Sequence, residues 1–281
     1  MASLENESSP IVKLGGIEIT TPKTQTRRFT SLIWGTSGAG KTTLAATAPG
    51  KKLWIGFDHG GTDAIAYRDD IEVLDYSAEP NKCVELFKED DPLRLTAFLL
   101  QRDDIETVVF DSLTTFSDKA LFHGVHKAAS TPKGRGATIE DPGYSGYGNK
   151  NTWTRLCVKN LLKCTGQANK HMIFIAHEDK PLMNSQGEIL SISIMLGSSL
   201  NEQVPIDFNE IWNLSDTGKE RRIAVRNCRL RKPVKSRMFV TSGKPEFVWN
   251  YNADTDKGEG IVDWYKEWVK NEGKKINLPI F

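Results

Sequence analysis

Residues 32–50 read LIWGTSGAGKTTLAATAPG. A short apolar run leads into a loop with three glycines and a lysine, and a helix-forming stretch follows. Gly35, Thr36, Ser37, Gly38, Ala39, Gly40, Lys41 and Thr42 satisfy G-x-x-x-x-G-K-[ST] in full. The glycines let the backbone wrap so that its N–H groups point inward, and the helix that follows turns its positive N-terminus to the same anion. In this geometry Lys41 reaches the β- and γ-phosphates of a nucleotide and Thr42 gives its hydroxyl to Mg²⁺, with Thr43 next along the helix. A flexible glycine turn with an incidental lysine is the alternative. The apolar run before the loop and the helix after it favour phosphate.

On either side of this loop, short apolar runs alternate with helical stretches. Strands are expected at residues 32–34, 52–57, 71–76, 107–110 and 171–176. Helices are expected at 41–48, 92–101, 113–125 and 151–169. In the last, Trp153, Leu156, Cys157, Leu161 and Cys164 share one stripe. This alternation predicts an α/β fold with a mostly parallel central sheet flanked by helices. Antiparallel strands at 222–229, 236–241 and 246–250 and a helix at 260–270 are expected toward the C-terminus. Two stretches, 124–150 and 179–207, read as long loops, which in a compact domain are functional or disordered.

The chain has 281 residues, 38% of them hydrophobic and 26% charged, enough for one large domain. Lys and Arg number 37 against 36 Asp and Glu, so overall charge names no partner. Cys83, Cys157, Cys164 and Cys228 form no C-x-x-C pair, which suits a reducing cytoplasm. No signal peptide and no apolar run approaching about 18 residues is present, so a cytoplasmic protein without a membrane span is expected. Residues 1–29 read as a flexible arm with one edge strand at GIEIT. One large globular domain is expected over 30–272, and 273–281 reads as a lightly tethered tail.

A phosphate loop needs a second anchor for Mg²⁺, an acid at the end of a buried strand beside the first. The run TVVFDS supplies Asp111. A helix cap is the alternative role for that residue. No N-K-x-D guanine selector occurs, and 124–150 holds a single arginine, Arg135, where a phosphotransferase lid would hold several. ATP is the expected nucleotide.

As an ordered set, IWGTSGAGKTTLAAT (33–47), TVVFDSLTTF (107–116), Trp153 and HMIFIAHED (171–179) resemble the RecA-like ATPase core. The set is most similar to the short phage-encoded RecA-core ATPases of recombination and single-strand annealing. The likeness covers roughly residues 30–240. It implies a Mg-dependent ATPase acting on single-stranded DNA as a homo-oligomer, with a single-strand-binding or recombination protein as partner. It implies the host cytoplasm if the chain is phage-encoded.

Carried onto GFDHGGTDAIAY, the resemblance makes Asp58 the residue that activates water, where the family usually has Glu. Asp63 and Tyr67 would flank the adenine. His177 would sense the γ-phosphate, where the family often has Gln. The loop after His177, with Lys180, takes the family's DNA-binding position. In AVRNCRLRKP, Arg226 and then Arg229 would reach a neighbouring subunit's γ-phosphate, Cys228 standing where a second cation is usual. The residues themselves leave alternatives: a turn for Asp58, a core position for Tyr67 and a structural strand end for His177.

In 124–150, Lys127, Lys133, Arg135, Tyr144 and Tyr147 combine cations with aromatic rings, a composition that suits single strands. A solvated loop is the alternative. Two other functions stay open: a nucleotide-gated binding module with little turnover, and a small-molecule phosphotransferase.

Overall fold

The computed structural model describes residues 13–15, 17–18, 21, 27–79, 82, 92–240 and 242–279; Cys83 and most of the expected N-terminal arm lie outside them. In chain order the main elements are β1 (Thr30–Gly35), α1 (Lys41–Ala46), β2 (Lys51–Gly56), β3 (Ile71–Asp75), α2 (Pro92–Gln101), β4 (Ile105–Asp111) and α3 (Leu113–Ala129). They continue with α4 (Gly143–Gln167), β5 (His171–His177), α5 (Ser198–Gln203), β6 (Glu210–Asp216), β7 (Arg221–Ala224), β8 (Glu246–Trp249) and α6 (Ile261–Lys270).

The apolar runs become strands of one eight-stranded sheet ordered β8-β7-β6-β1-β5-β4-β2-β3. Six strands, β6 to β3 in that order, are parallel; β7 and β8 are antiparallel. Alternation along each strand feeds two cores. Leu32, Trp34, Val108, Phe110, Met172 and Phe174 face α2, α3 and α4. Ile33, Val109, Ile173 and Ile175 face α1 and α6. On α4, Cys157, Leu161 and Cys164 are buried on one stripe, as the helical spacing predicts. A side chain such as Leu161, buried completely, contributes about 2 kcal/mol.

Several expectations need correction. The strand carrying Asp111 does not lie next to β1, because β5 is inserted between them. Strand order is set by long-range pairing that no local pattern carries. The expected loop at 124–150 is largely helical: α3 runs to Ala129 and α4 begins at Gly143, leaving 130–142 as the connection. Two of the glycines there, Gly124 and Gly146, serve helix packing. A Cβ on Gly124 would lie 2.7 Å from the Gly146 carbonyl oxygen, so the two helices approach too closely for a side chain.

Residues 179–207 are likewise not a bare loop. They hold a small hairpin, Leu182–Met183 with Ile189–Ser191, and then α5. The strand expected at 222–229 ends at Ala224, where Val225 and Arg226 turn to bond Pro245. No strand forms at 236–240; that segment instead receives the tail. Ile276 is buried and exchanges backbone bonds with Met238 and Val240. At the N-terminal side, Ile17–Glu18 pairs with Lys13–Leu14 and not with the main sheet.

One consequence decides where chemistry sits. Gly35 pairs with His177, Asp111 pairs with Ile175, and Gly56 pairs with Asp111. The ends of β1, β5, β4 and β2 therefore form a single edge, the carboxyl edge at which open parallel sheets bind ligands. Among the described residues no helix is long and apolar enough to cross a membrane.

Candidate nucleotide site

The loop of residues 35–40 leaves β1 and enters α1 at this edge. Gly35 is required by packing, since a Cβ there would lie 2.0 Å from the Leu214 carbonyl oxygen of β6. Gly40 caps α1 with φ 93°, a left-handed conformation that favours glycine. Lys41 is buried and folds back over the loop. Its Nζ donates to the carbonyls of Gly35 at 3.0 Å and Thr36 at 2.7 Å. Burial lowers the Lys41 pKa, and the nearby Asp111, Asp58 and Glu178 work against that shift.

Asp111 ends β4 with only 6% of its surface exposed. Burial, then the charge of Asp58, pushes its carboxyl up to about 7, against the pull of Lys41 and Thr42. Thr42 Oγ1 donates to Asp111 Oδ2 at 3.3 Å. A hydroxyl and a carboxylate short of positive charge thus share one point beside the loop. That donor set fits Mg²⁺, which takes one or two protein oxygens and keeps the rest for phosphates and water. The helix cap is a different residue: Ser112 Oγ accepts from the Thr115 N–H at 3.2 Å, which leaves the Asp111 carboxylate free of that task. The Asp111–Ser112 peptide is cis.

Asp58 lies two residues past β2. Its Oδ1 accepts from Thr115 Oγ1 at 2.5 Å, and His177 Nε2 stands 3.9 Å from its Oδ2. Burial works to raise its pKa, but His177, Thr115 and Ser112 outweigh it and hold the carboxyl below its ordinary value. The His177 backbone N–H donates to Thr114 Oγ1 at 2.9 Å. Thr114 and Thr115 fall within TVVFDSLTTF, whose resemblance gives neither of them a role. Their position, one turn into the helix after an Asp-terminated strand, is the signal that could have found them.

A family model for the AAA domain matches residues 27–248. The chain belongs to the AAA domain family. It is therefore a P-loop ATPase by class, with the α/β sheet described above. No curated protein matches it.

Elsewhere in this AAA domain the remaining candidates are scattered. Asp63 opens a single 3₁₀ turn that packs near α1, and Tyr67, 53% exposed, is a surface ring and not core. Lys127 stands over the Trp153 ring at 5.6 Å. Lys133, Arg135 and Tyr144 line one shallow depression at the tip between α3 and α4, with Tyr144 fully exposed and Tyr147 half exposed one turn on. Lys127 is on α3 and Tyr144 and Tyr147 are on α4, while Lys133 and Arg135 lie in the 130–142 connection. Lys180 is exposed at the root of the small hairpin, in a segment with four acids, Asp179, Glu188, Glu202 and Asp207.

The basic stretch of the AAA domain is partly neutralised from within: of its nine Lys and Arg, Arg221, Arg222, Arg229 and Arg231 meet carboxylates. Arg222 pairs with Glu220 and Glu246, Arg229 with Glu246 at 2.6 Å, and Arg231 with Glu178 at 2.9 Å. Arg226 is exposed beyond the end of β7. Because β7 runs antiparallel to β6, from Arg221 opposite Asp216 to Ala224 opposite Asn213, Arg226 lies away from its own phosphate loop. The cation that borders the loop is one that no motif singles out, Arg221.

Proposed function

We propose that the chain binds and hydrolyses Mg·ATP at residues 35–43 and couples that cycle to assembly on single-stranded DNA in recombination or strand annealing. The observation that carries the nucleotide part is convergence: the loop, Thr42, Asp111, Asp58 and His177 meet at one strand edge. Backbone N–H groups of the loop and Lys41 hold the β- and γ-phosphates. Thr42 and Asp111 hold Mg²⁺, which supplies charge neutralisation at the phosphate oxygens. Asp58, fixed by Thr115, orients water in line with the γ-phosphate, and His177 reads that phosphate through a hydrogen bond. Asp63 and Tyr67 border the base.

Arg226, exposed beyond the end of β7, would reach a neighbour's phosphate in a homo-oligomer, with turnover then dependent on assembly. Arg229 is the weaker candidate because Glu246 already holds it. For DNA, the tip residues Lys133, Arg135, Tyr144 and Tyr147, with Lys127, join phosphate neutralisation to base stacking. The resemblance adds a single-strand-binding or recombination protein as partner, and the host cytoplasm as location if the chain is phage-encoded.

One observation favours a second reading, a slow nucleotide-gated switch. Asp58 is short, held by Thr115 and kept below its ordinary pKa, which makes it a poor proton acceptor. Replacing Asp58→Glu separates the two. Hydrolysis that rises sharply marks the natural chain as a switch; hydrolysis that falls marks Asp58 as the fitted residue.

The DNA part is tested by fluorescence anisotropy of a labelled single-stranded oligonucleotide, with and without Mg·ATP. ATP-enhanced binding, lost when Lys133, Arg135 and Tyr144 are changed together to Ala, supports the reading. No binding in either condition contradicts it.

A further inference from the structure

Arg221 opens β7 opposite Asp216 of β6 and Trp249 of β8. Leu214, two residues before Asp216, pairs with Gly35. Arg221 therefore stands at the strand edge from which the phosphate loop emerges. A Cβ built on Gly40 would lie 3.5 Å from both Cδ and Cζ of Arg221, and 3.3 Å from the Trp249 ring. The Arg221 stem and guanidinium carbon thus lie along the outer wall of the loop, at the residue before Lys41.

Trp249 is a fixed part of that wall. It is buried, and its indole N–H donates to the Glu259 carbonyl at 3.0 Å. Arg221 is held far more loosely. Its side chain is 37% exposed, and its ion partner, Asp216, stands 3.6 Å away, beyond hydrogen-bond length. The neighbouring arginines of the same stretch, Arg222, Arg229 and Arg231, all make tight pairs with carboxylates. A long, planar, permanently charged donor set resting beside a phosphate loop has one suitable ligand chemistry, the phosphate oxygens of a nucleotide.

We propose that Arg221 is a phosphate-contacting residue acting in cis: its guanidinium leaves Asp216 and donates to the phosphate chain of the nucleotide held by its own loop. The proposal rests on the nucleotide reading above and adds a cation that neither the loop motif nor the neighbour-directed Arg226 supplies.

The test is isothermal titration of Mg·ATP into the full chain as wild type, Lys41→Ala, Arg221→Met, Arg221→Lys and Asp216→Asn. Met keeps the apolar stem against the loop and removes the charge. Arg221→Met is expected to bind at least about 10-fold more weakly, Arg221→Lys to recover at most part of the loss, and Asp216→Asn to bind more tightly because the guanidinium is released. Wild-type affinity in Arg221→Met overturns the proposal. So does weaker binding in Asp216→Asn, since release of the guanidinium would then not serve the nucleotide. Wild type binding no better than Lys41→Ala overturns the nucleotide reading itself and the proposal with it.

Discussion

Thr115 Oγ1 donates to Asp58 Oδ1 at 2.5 Å, tying the first turn of α3 to the loop after β2. The same threonine closes the cap on Ser112, so the helix start and the acid are fixed by one side chain. Thr115→Val keeps the shape and removes the donor. The expected outcome is a fall in kcat of about 10-fold with ATP affinity nearly unchanged, because orientation of water is lost and phosphate binding is not. Steady-state kinetics with a parallel binding titration check the split; an equal loss in both would place Thr115 in binding instead.

His171 gives the clearest pH dependence. Its Nδ1 accepts the Phe29 N–H at 2.9 Å, and burial, then Arg28, lowers its pKa from 6.5 to about 4. Between those values the unfolded chain takes a proton that the folded one refuses. Stability is complete above pH 6.5 and is lost as pH falls toward 4, by about 3 kcal/mol at most from this residue. Urea unfolding at pH 7 and pH 5 is expected to show part of that loss in the wild type. In His171→Asn, which keeps an acceptor and does not titrate, the drop between the two pH values should shrink.

Two loop glycines are required for different reasons, and substitution separates them. A Cβ on Gly35 meets the Leu214 carbonyl, whereas one on Gly38, at φ 77°, meets nothing within 4 Å. Gly35→Ala is expected to cost about 3 kcal/mol or more, since the obstacle is sheet backbone. Gly38→Ala should cost only about 1–2 kcal/mol, the strain of the left-handed conformation. Thermal unfolding of the two variants ranks them.

Glu178 has only 9% of its side chain exposed and relies on Arg231, with Asn213 Nδ2 at 3.3 Å. Arg231→Ala leaves a carboxylate short of its charge partner next to His177. A loss of about 1–3 kcal/mol in denaturant unfolding is expected, and Glu178→Gln in the same background should restore part of it.

The loop, the strand ending in Asp111 and the alternation behind the parallel sheet were legible because each rests on local chemistry. Glycines at fixed spacing, an apolar run and a helical stripe are visible one window at a time. What stayed hidden depends on distant contacts. The start of α4 looks like a loop because it is rich in glycine, and the one that answers to α3, Gly146 at its crossing with Gly124, does so through a distant contact. The insertion of β5 beside β1 is a pairing choice no single segment records. Arg221 was lost among nine Lys and Arg residues between 219 and 237. Only the turn at Gly218, where Thr217 N–H meets the Glu220 carbonyl, sets which of them returns to the loop.

The most direct measurement is the ATP hydrolysis rate of purified protein, with and without single-stranded DNA, beside Lys41→Ala. The account predicts Mg-dependent hydrolysis that single strands stimulate and that the Lys41 variant loses. Hydrolysis that persists in Lys41→Ala would contradict the site, and Lys41-dependent hydrolysis indifferent to DNA would contradict its proposed use.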